Sequence, residues 1–114
     1  MKQFIVIYYA PASAMEKMKN SSPEDMKKGM EEWMKWAEKC GENLIDLGNP
    51  LGNGQEISQS GTSSSNKGVV GYSILQASDM SEAEDFLKGH PHLGWTDGCQ
   101  IEIYEKLPLP SDNC

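Results

Sequence analysis

An α+β fold is predicted, on three observations. β-Branched and aromatic runs suited to strands stand at residues 3–9 (QFIVIYY), 69–77 (VVGYSILQA) and 99–106 (CQIEIYEK), with a weaker one at 44–51 (LIDLGNPL). Helical segments at 24–40 and 79–89 separate them, so the order strand–helix–strand occurs twice. Two such units in 114 residues predict a ferredoxin-like βαββαβ antiparallel sheet with two helices on one face. That length holds one core, so residues 1–114 are read as a single domain.

The first strand is apolar on both alternating faces and ends at Pro11. Residues 12–22 read as a connector with at most a loose helical turn. Ser22-Pro23-Glu24-Asp25 then opens a helix: a capping hydroxyl, proline at the first position, and acids in the first turn. Met26, Met30, Trp33, Ala37 and Cys40 recur at spacings of four and three, which predicts one buried stripe with Met34 and Trp36 on its flanks. Gly41 closes the helix. Residues 52–67, rich in Gly, Ser and Asn, are expected to form a loose excursion with a partial hairpin and a mobile tip. Ser78 or Asp79 caps the second helix, Glu82 completes a capping box, and Gly89 stops it. The last strand places Cys99, Ile101 and Ile103 on one face and Gln100, Glu102 and Tyr104 on the other. Its tail, 107–114, is an extended arm whose prolines bar it from a central strand.

The formal net charge is −7, and all ten basic residues are lysines. That balance argues against nucleic acid and anionic membrane surfaces, and guanidinium clamps for phosphate are absent. Cys40, Cys99 and Cys114 are odd in number and match no zinc or redox spacing, which points to a reduced, cytoplasmic protein. Lys2, the apolar run 4–10 and Ala12-Ser13-Ala14 resemble a short signal peptide, but cleavage there would delete the first strand.

Two helices cover one face of such a sheet, yet the first strand is apolar on both. The open face therefore calls for a partner, and a homodimer with sheets facing is expected.

The opening KQFIVIYYA, the passage AEKCGENLIDLGNPL, the segment GYSILQASDMSEAEDFLKGHPHL and the closing IEIYEKLPLP together resemble the YCII-related (DGPF-type) family of the dimeric α+β barrel superfamily. The resemblance covers most of the chain outside the serine-rich excursion. It implies a ferredoxin-like dimer. Some relatives are thought to carry a His–Asp pair with its histidine on the first helix. Here Met30 stands at that place, and the DGPF tetrapeptide is replaced by Ser and Asn.

The residues that carry candidate chemistry are few. His90 and His92 bracket Pro91 ahead of Trp95, and imidazole titrates near neutral pH. His90 also suits a helix C-terminus, where a cation is favourable, so His92 is the better functional candidate. If the barrel holds a cavity, Tyr8 and Glu102 are placed to supply its polar contacts, with Glu102 a candidate base; the plainer reading of Glu102, an exposed or lysine-paired glutamate, is preferred. A metal site from His90, His92, Asp97 and Cys99 lacks paired spacing, and neither a metal nor a cofactor is invoked. The methionines and tryptophans of the first helix read as core.

The leading functional expectation is a small organic molecule bound beside the exit of the second helix, against Tyr8, His90, His92 and Trp95, with the 107–110 arm as a further wall. The first alternative is a cofactor-independent enzyme acting by proton transfer through His92 or Glu102. The second is a structural or regulatory dimer without a ligand.

Overall fold

The computed structural model describes residues 1–110, so Cys114 and the end of the predicted arm lie outside the described residues. Six strands and four helices follow in the order β1 (Lys2–Tyr9), α1 (Ala12–Lys19), α2 (Pro23–Cys40), β2 (Leu44–Asp46), β3 (Gln55–Ser58), β4 (Gly61–Ser64), β5 (Val69–Ala77), α3 (Met80–Leu87), α4 (Pro91–Trp95) and β6 (Gln100–Glu105). Strands β2, β5, β1 and β6 form one sheet in that spatial order, with every pair antiparallel. This is the ferredoxin-like topology that the repeated strand–helix–strand order predicts.

Side-chain alternation divides the sheet into two unequal faces. Phe4, Val6 and Tyr8 of β1 and Ser73, Leu75 and Ala77 of β5 are fully buried beneath Trp36 and Cys40 of α2 and Ala83 and Leu87 of α3. Each large apolar side chain so buried contributes about 1.5–3 kcal/mol. Trp36 also anchors α2 to α3, its Nε1–H donating to the Phe86 carbonyl at 2.7 Å. On the opposite face Ile5 stands between Ile74 and Tyr104, and Ile7 between Tyr72 and Glu102. That face is apolar at its centre and bare in the single chain; Tyr104 is 52% exposed.

The helix ends follow their sequence signals. Ser22 Oγ accepts from Asp25 N–H at the start of α2, and Gly41 lies at its end. Asp79 accepts from Glu82 N–H, while the Glu82 carboxylate reaches back to Ser78 N–H, one residue beyond the expected capping box.

Four local expectations need correction. Residues 12–19 form the regular helix α1 instead of a loose turn, because Pro11 sets an extended entry to a run of strong helix formers. The strand expected over 44–51 is paired only at Leu44–Asp46, with one further bridge from Pro50 to Gly71. The 55–64 region is a complete four-pair hairpin. The buried line of α2 runs through Trp33, Trp36 and Cys40, not through Met26 and Met30, which are 58% and 59% exposed. The first half of α2 therefore stands away from the sheet.

Gly48 shows how tightly the turn after β2 is held against β5. It adopts φ +85°, and a Cβ there would overlap the Tyr72 carbonyl, whereas a Cβ at Gly29 inside α2 would meet nothing. Gly48→Ala is expected to lower unfolding free energy by about 3 kcal/mol or more. Gly29→Ala should raise it by about 0.5–1 kcal/mol. Urea denaturation of the two variants checks the contrast, and equal small effects would refute the strained turn.

Candidate functional site

Where α2 leaves the sheet, a groove of about 540 Å³ opens between the sheet, the α1–α2 turn and α4. Tyr8 and Val70 form its floor, Trp33 and Met30 one wall, and His92 and Trp95 its α4 end. Lys17 of α1 holds that end in place, its Nζ donating to the Trp95 carbonyl at 2.6 Å.

The short helix α4 is where sequence reasoning expected a loop. Pro91 occupies its first turn, and His90, just before it, is its N-cap: Nδ1 accepts from His92 N–H at 2.9 Å. This corrects the expectation of a cationic His90 at a helix C-terminus. A ring nitrogen that accepts is unprotonated, so His90 is neutral and carries its proton on Nε2. Nε2 is buried with no hydrogen-bond partner among the described residues. The ring is 2% exposed and packs on Trp36 at 4.4 Å, Trp33 at 4.5 Å and Tyr8 at 5.1 Å between centroids. Burial, reinforced by His92, pushes its pKa down to about 3.

His92 has a different task. Its Nε2 lies 2.8 Å from the Tyr9 carbonyl oxygen, which can only accept, so Nε2 bears a proton. In the neutral ring the lone pair is then on Nδ1, and His92 is among the residues that line the groove. Both histidines thus have their tautomers set by backbone contacts.

Tyr8 closes the floor through a short polar chain. Ser73 Oγ donates to the Leu47 carbonyl at 2.6 Å, which uses its one proton, so the 2.7 Å contact to Tyr8 has the phenol donating to Ser73. Burial raises the Tyr8 pKa far above the ordinary phenol range, against a smaller lowering from Ser73. The phenol is therefore a neutral fixture. Burial likewise raises the Cys40 thiol to about 11, which makes it core and not a nucleophile.

The structure brings Tyr8, His92 and Trp95 together on one groove and places His90 directly behind it. It separates Glu102 from them. Tyr8 and Glu102 project to opposite faces of the sheet, so they share no cavity. Glu102 accepts from Tyr104 at 2.6 Å and Tyr9 at 2.9 Å, both on Oε1, and these two bonds hold its carboxyl below the usual range. A general base needs the reverse shift. Leu107 and Leu109 of the arm are exposed and do not line the groove. Among the described residues no three His, Cys, Asp or Glu side chains gather to hold a metal ion.

Sequence reasoning missed Trp33, Met18, Met26 and Met30 as groove residues. Met18 lies in the segment read as a connector; the spacing of the other three is that of a core stripe, and only the departure of α2 from the sheet distinguishes the two cases. The proline after His90 was the available signal for α4, since Pro at N1 behind a capping side chain starts a helix as well as ending one.

No family model matches the sequence, and no curated protein matches it. Among solved structures the chain is similar to 5-chloro-2-hydroxyhydroquinone dehydrochlorinase (TftG) from Burkholderia phenoliruptrix AC1100, in complex with 2,5-dihydroxybenzoquinone. The TM-score is 0.51 and the identity 15%, with 100% of each chain covered. At that identity the likeness shows the α+β fold. Among the described residues no helix is long and apolar enough to cross a membrane.

Acid should expose the role of His90. Its folded pKa lies below the ordinary 6.5, so the unfolded chain binds the extra proton between pH 6.5 and about 3. Stability from this group is complete above pH 6.5 and falls as pH drops, by at most about 1.4 kcal/mol per unit. Thermal melts from pH 7 to 4 should show that decline in the parent and a flatter profile in His90→Gln. Equal slopes in both would remove His90 as the acid-sensitive group.

Proposed function

We propose that this chain binds a small, flat, hydroxylated aromatic molecule in the Tyr8–Trp33–Trp95 groove and exchanges a proton with it through His92. The observation that carries the reading is the 2.8 Å contact of His92 Nε2 with the Tyr9 carbonyl, which engages Nε2 as a donor and leaves Nδ1 to meet a molecule in the apolar, aromatic-walled groove that His92 lines. A groove of about 540 Å³ is of the size that small-molecule sites take. Its exposed methionines adapt to irregular aromatic shapes. The ligand in the structural neighbour, 2,5-dihydroxybenzoquinone, is a quinone and not an aromatic, but shares the flat six-membered ring and the hydroxyl groups. In the catalytic form of the reading, Nδ1 takes the hydroxyl proton, the ring oxygen keeps the electron pair, and the imidazolium retains its bond to Tyr9.

The expected outcome is quenching of tryptophan fluorescence by hydroxylated aromatics. His92→Gln should weaken their binding about tenfold, the loss of one hydrogen bond worth about 1.4 kcal/mol, and leave binding of the O-methylated analogues unchanged. Trp33→Ala should weaken both series. If no flat aromatic perturbs the fluorescence, the binding reading fails. If binding persists without turnover in the parent, the catalytic form fails alone.

The same reading includes a homodimer of the YCII-related kind, sheet against sheet. Its support is the bare face centred on Ile5, Ile7 and Ile74, whose exposure to water costs about 25 cal/mol for each Å² of apolar surface. Light scattering should give twice the chain mass at micromolar concentration, and Ile5→Asp should give the monomer. A parent monomer at those concentrations would refute the dimer.

A further inference from the structure

We propose that Gly29 is a specificity-determining residue of the groove: it leaves the wall of α2 bare beside Trp33 and so admits a planar ring that stacks on the indole. The proposal rests on the binding reading above and deepens it, naming the position that selects flat ligands.

A glycine inside a helix calls for a reason, because it weakens the helix relative to alanine. Gly29 is the one glycine within α2, well inside both ends. Two structural needs commonly account for such a residue, and neither applies. The first is a left-handed backbone, which Gly48 adopts and Gly29 does not. The second is the close approach of another segment. A Cβ at Gly29 would meet no heavy atom within 4 Å, whereas one at Gly48 would overlap the Tyr72 carbonyl. Neither the backbone nor the packing of the chain requires a glycine at this place.

What lies beside Gly29 is the groove. Met26, Gly29, Met30 and Trp33 all line it, and their spacings of three, one and three put them on one face of α2. Position 29 is the i−4 neighbour of Trp33, where a helical side chain ordinarily rests against the one a turn later. Here that neighbour is missing. The 4 Å clearance around the built Cβ applies to the indole as well, so a space is left between the ring and position 29.

The other rings around Trp33 do not stack on it. Tyr8, Trp36 and His90 meet it at 78°, 80° and 83° between planes, and His92 at 62°. A parallel, offset partner for the indole has therefore to come from outside the chain. Stacking of that kind favours a planar ring, because its π-system faces the indole. A branched side chain at 29 would fill the same space and keep the ring out.

The test is calorimetric titration of hydroquinone and of 1,4-dimethoxybenzene into the parent, Gly29→Ala and Gly29→Leu, with thermal melts of all three. The expected result is that stability and affinity move in opposite directions. The melting temperature holds or rises in both variants. The dissociation constants of both ligands rise, about tenfold in Gly29→Leu and about twofold in Gly29→Ala. Unchanged affinity in the variants, with a parent that binds, overturns the stacking role and leaves the groove reading intact. A loss confined to hydroquinone also overturns it, since stacking does not involve the hydroxyl proton. A parent that binds neither ligand overturns both. Should Gly29→Leu melt below the parent, Gly29→Ala decides alone.

Discussion

His90 lies where β1, α2 and α4 meet, and its packing against Tyr8, Trp33 and Trp36 sets the position of all three. A buried imidazole has to be neutral and has to satisfy at least one nitrogen. Here the His92 backbone N–H provides that bond and, in doing so, starts α4. The placement of α4 in turn carries Nε2 of His92 to the Tyr9 carbonyl. A single desolvated ring thereby fixes the tautomer of its neighbour two residues on.

The same packing explains why a groove exists. Trp36 and Cys40 are buried in the core against the sheet, but Trp33 meets Tyr8 in an edge-on contact at 4.9 Å and 78°. A helix whose C-terminal half is seated and whose next turn is propped on an aromatic ring diverges from the sheet. Met30 and Met26 then face a space instead of a neighbour. The space keeps apolar walls, whereas a helix lying flat would have closed it to core density. The polar chain Tyr8–Ser73–Leu47 keeps the floor neutral beneath that space.

The molecule thus separates two surfaces by sheet face. The helix side holds the groove and its histidine. The open side holds the isoleucines and the Tyr9–Glu102–Tyr104 cluster. Period-two alternation makes this division absolute, since Tyr8 and Tyr9 are adjacent in the chain and serve opposite sides.

Local pattern alone yields the strands, the two main helices and their caps. Alternation, helical spacing and capping side chains act over a few residues, and they do not depend on what lies across the fold. The two-sided apolar character of β1 likewise marks the sheet as incompletely covered by its own helices. Contact between distant segments settles the rest. Met30 and Cys40 occupy equivalent positions of one helical stripe, yet one is exposed and the other buried, because burial depends on where the helix axis runs and not on spacing along it. His90 and His92 look interchangeable as letters. Packing against Trp33 and Trp36, residues 54 or more positions away, makes the first a neutral cap, while the second lines the groove with its Nε2 held on the Tyr9 carbonyl.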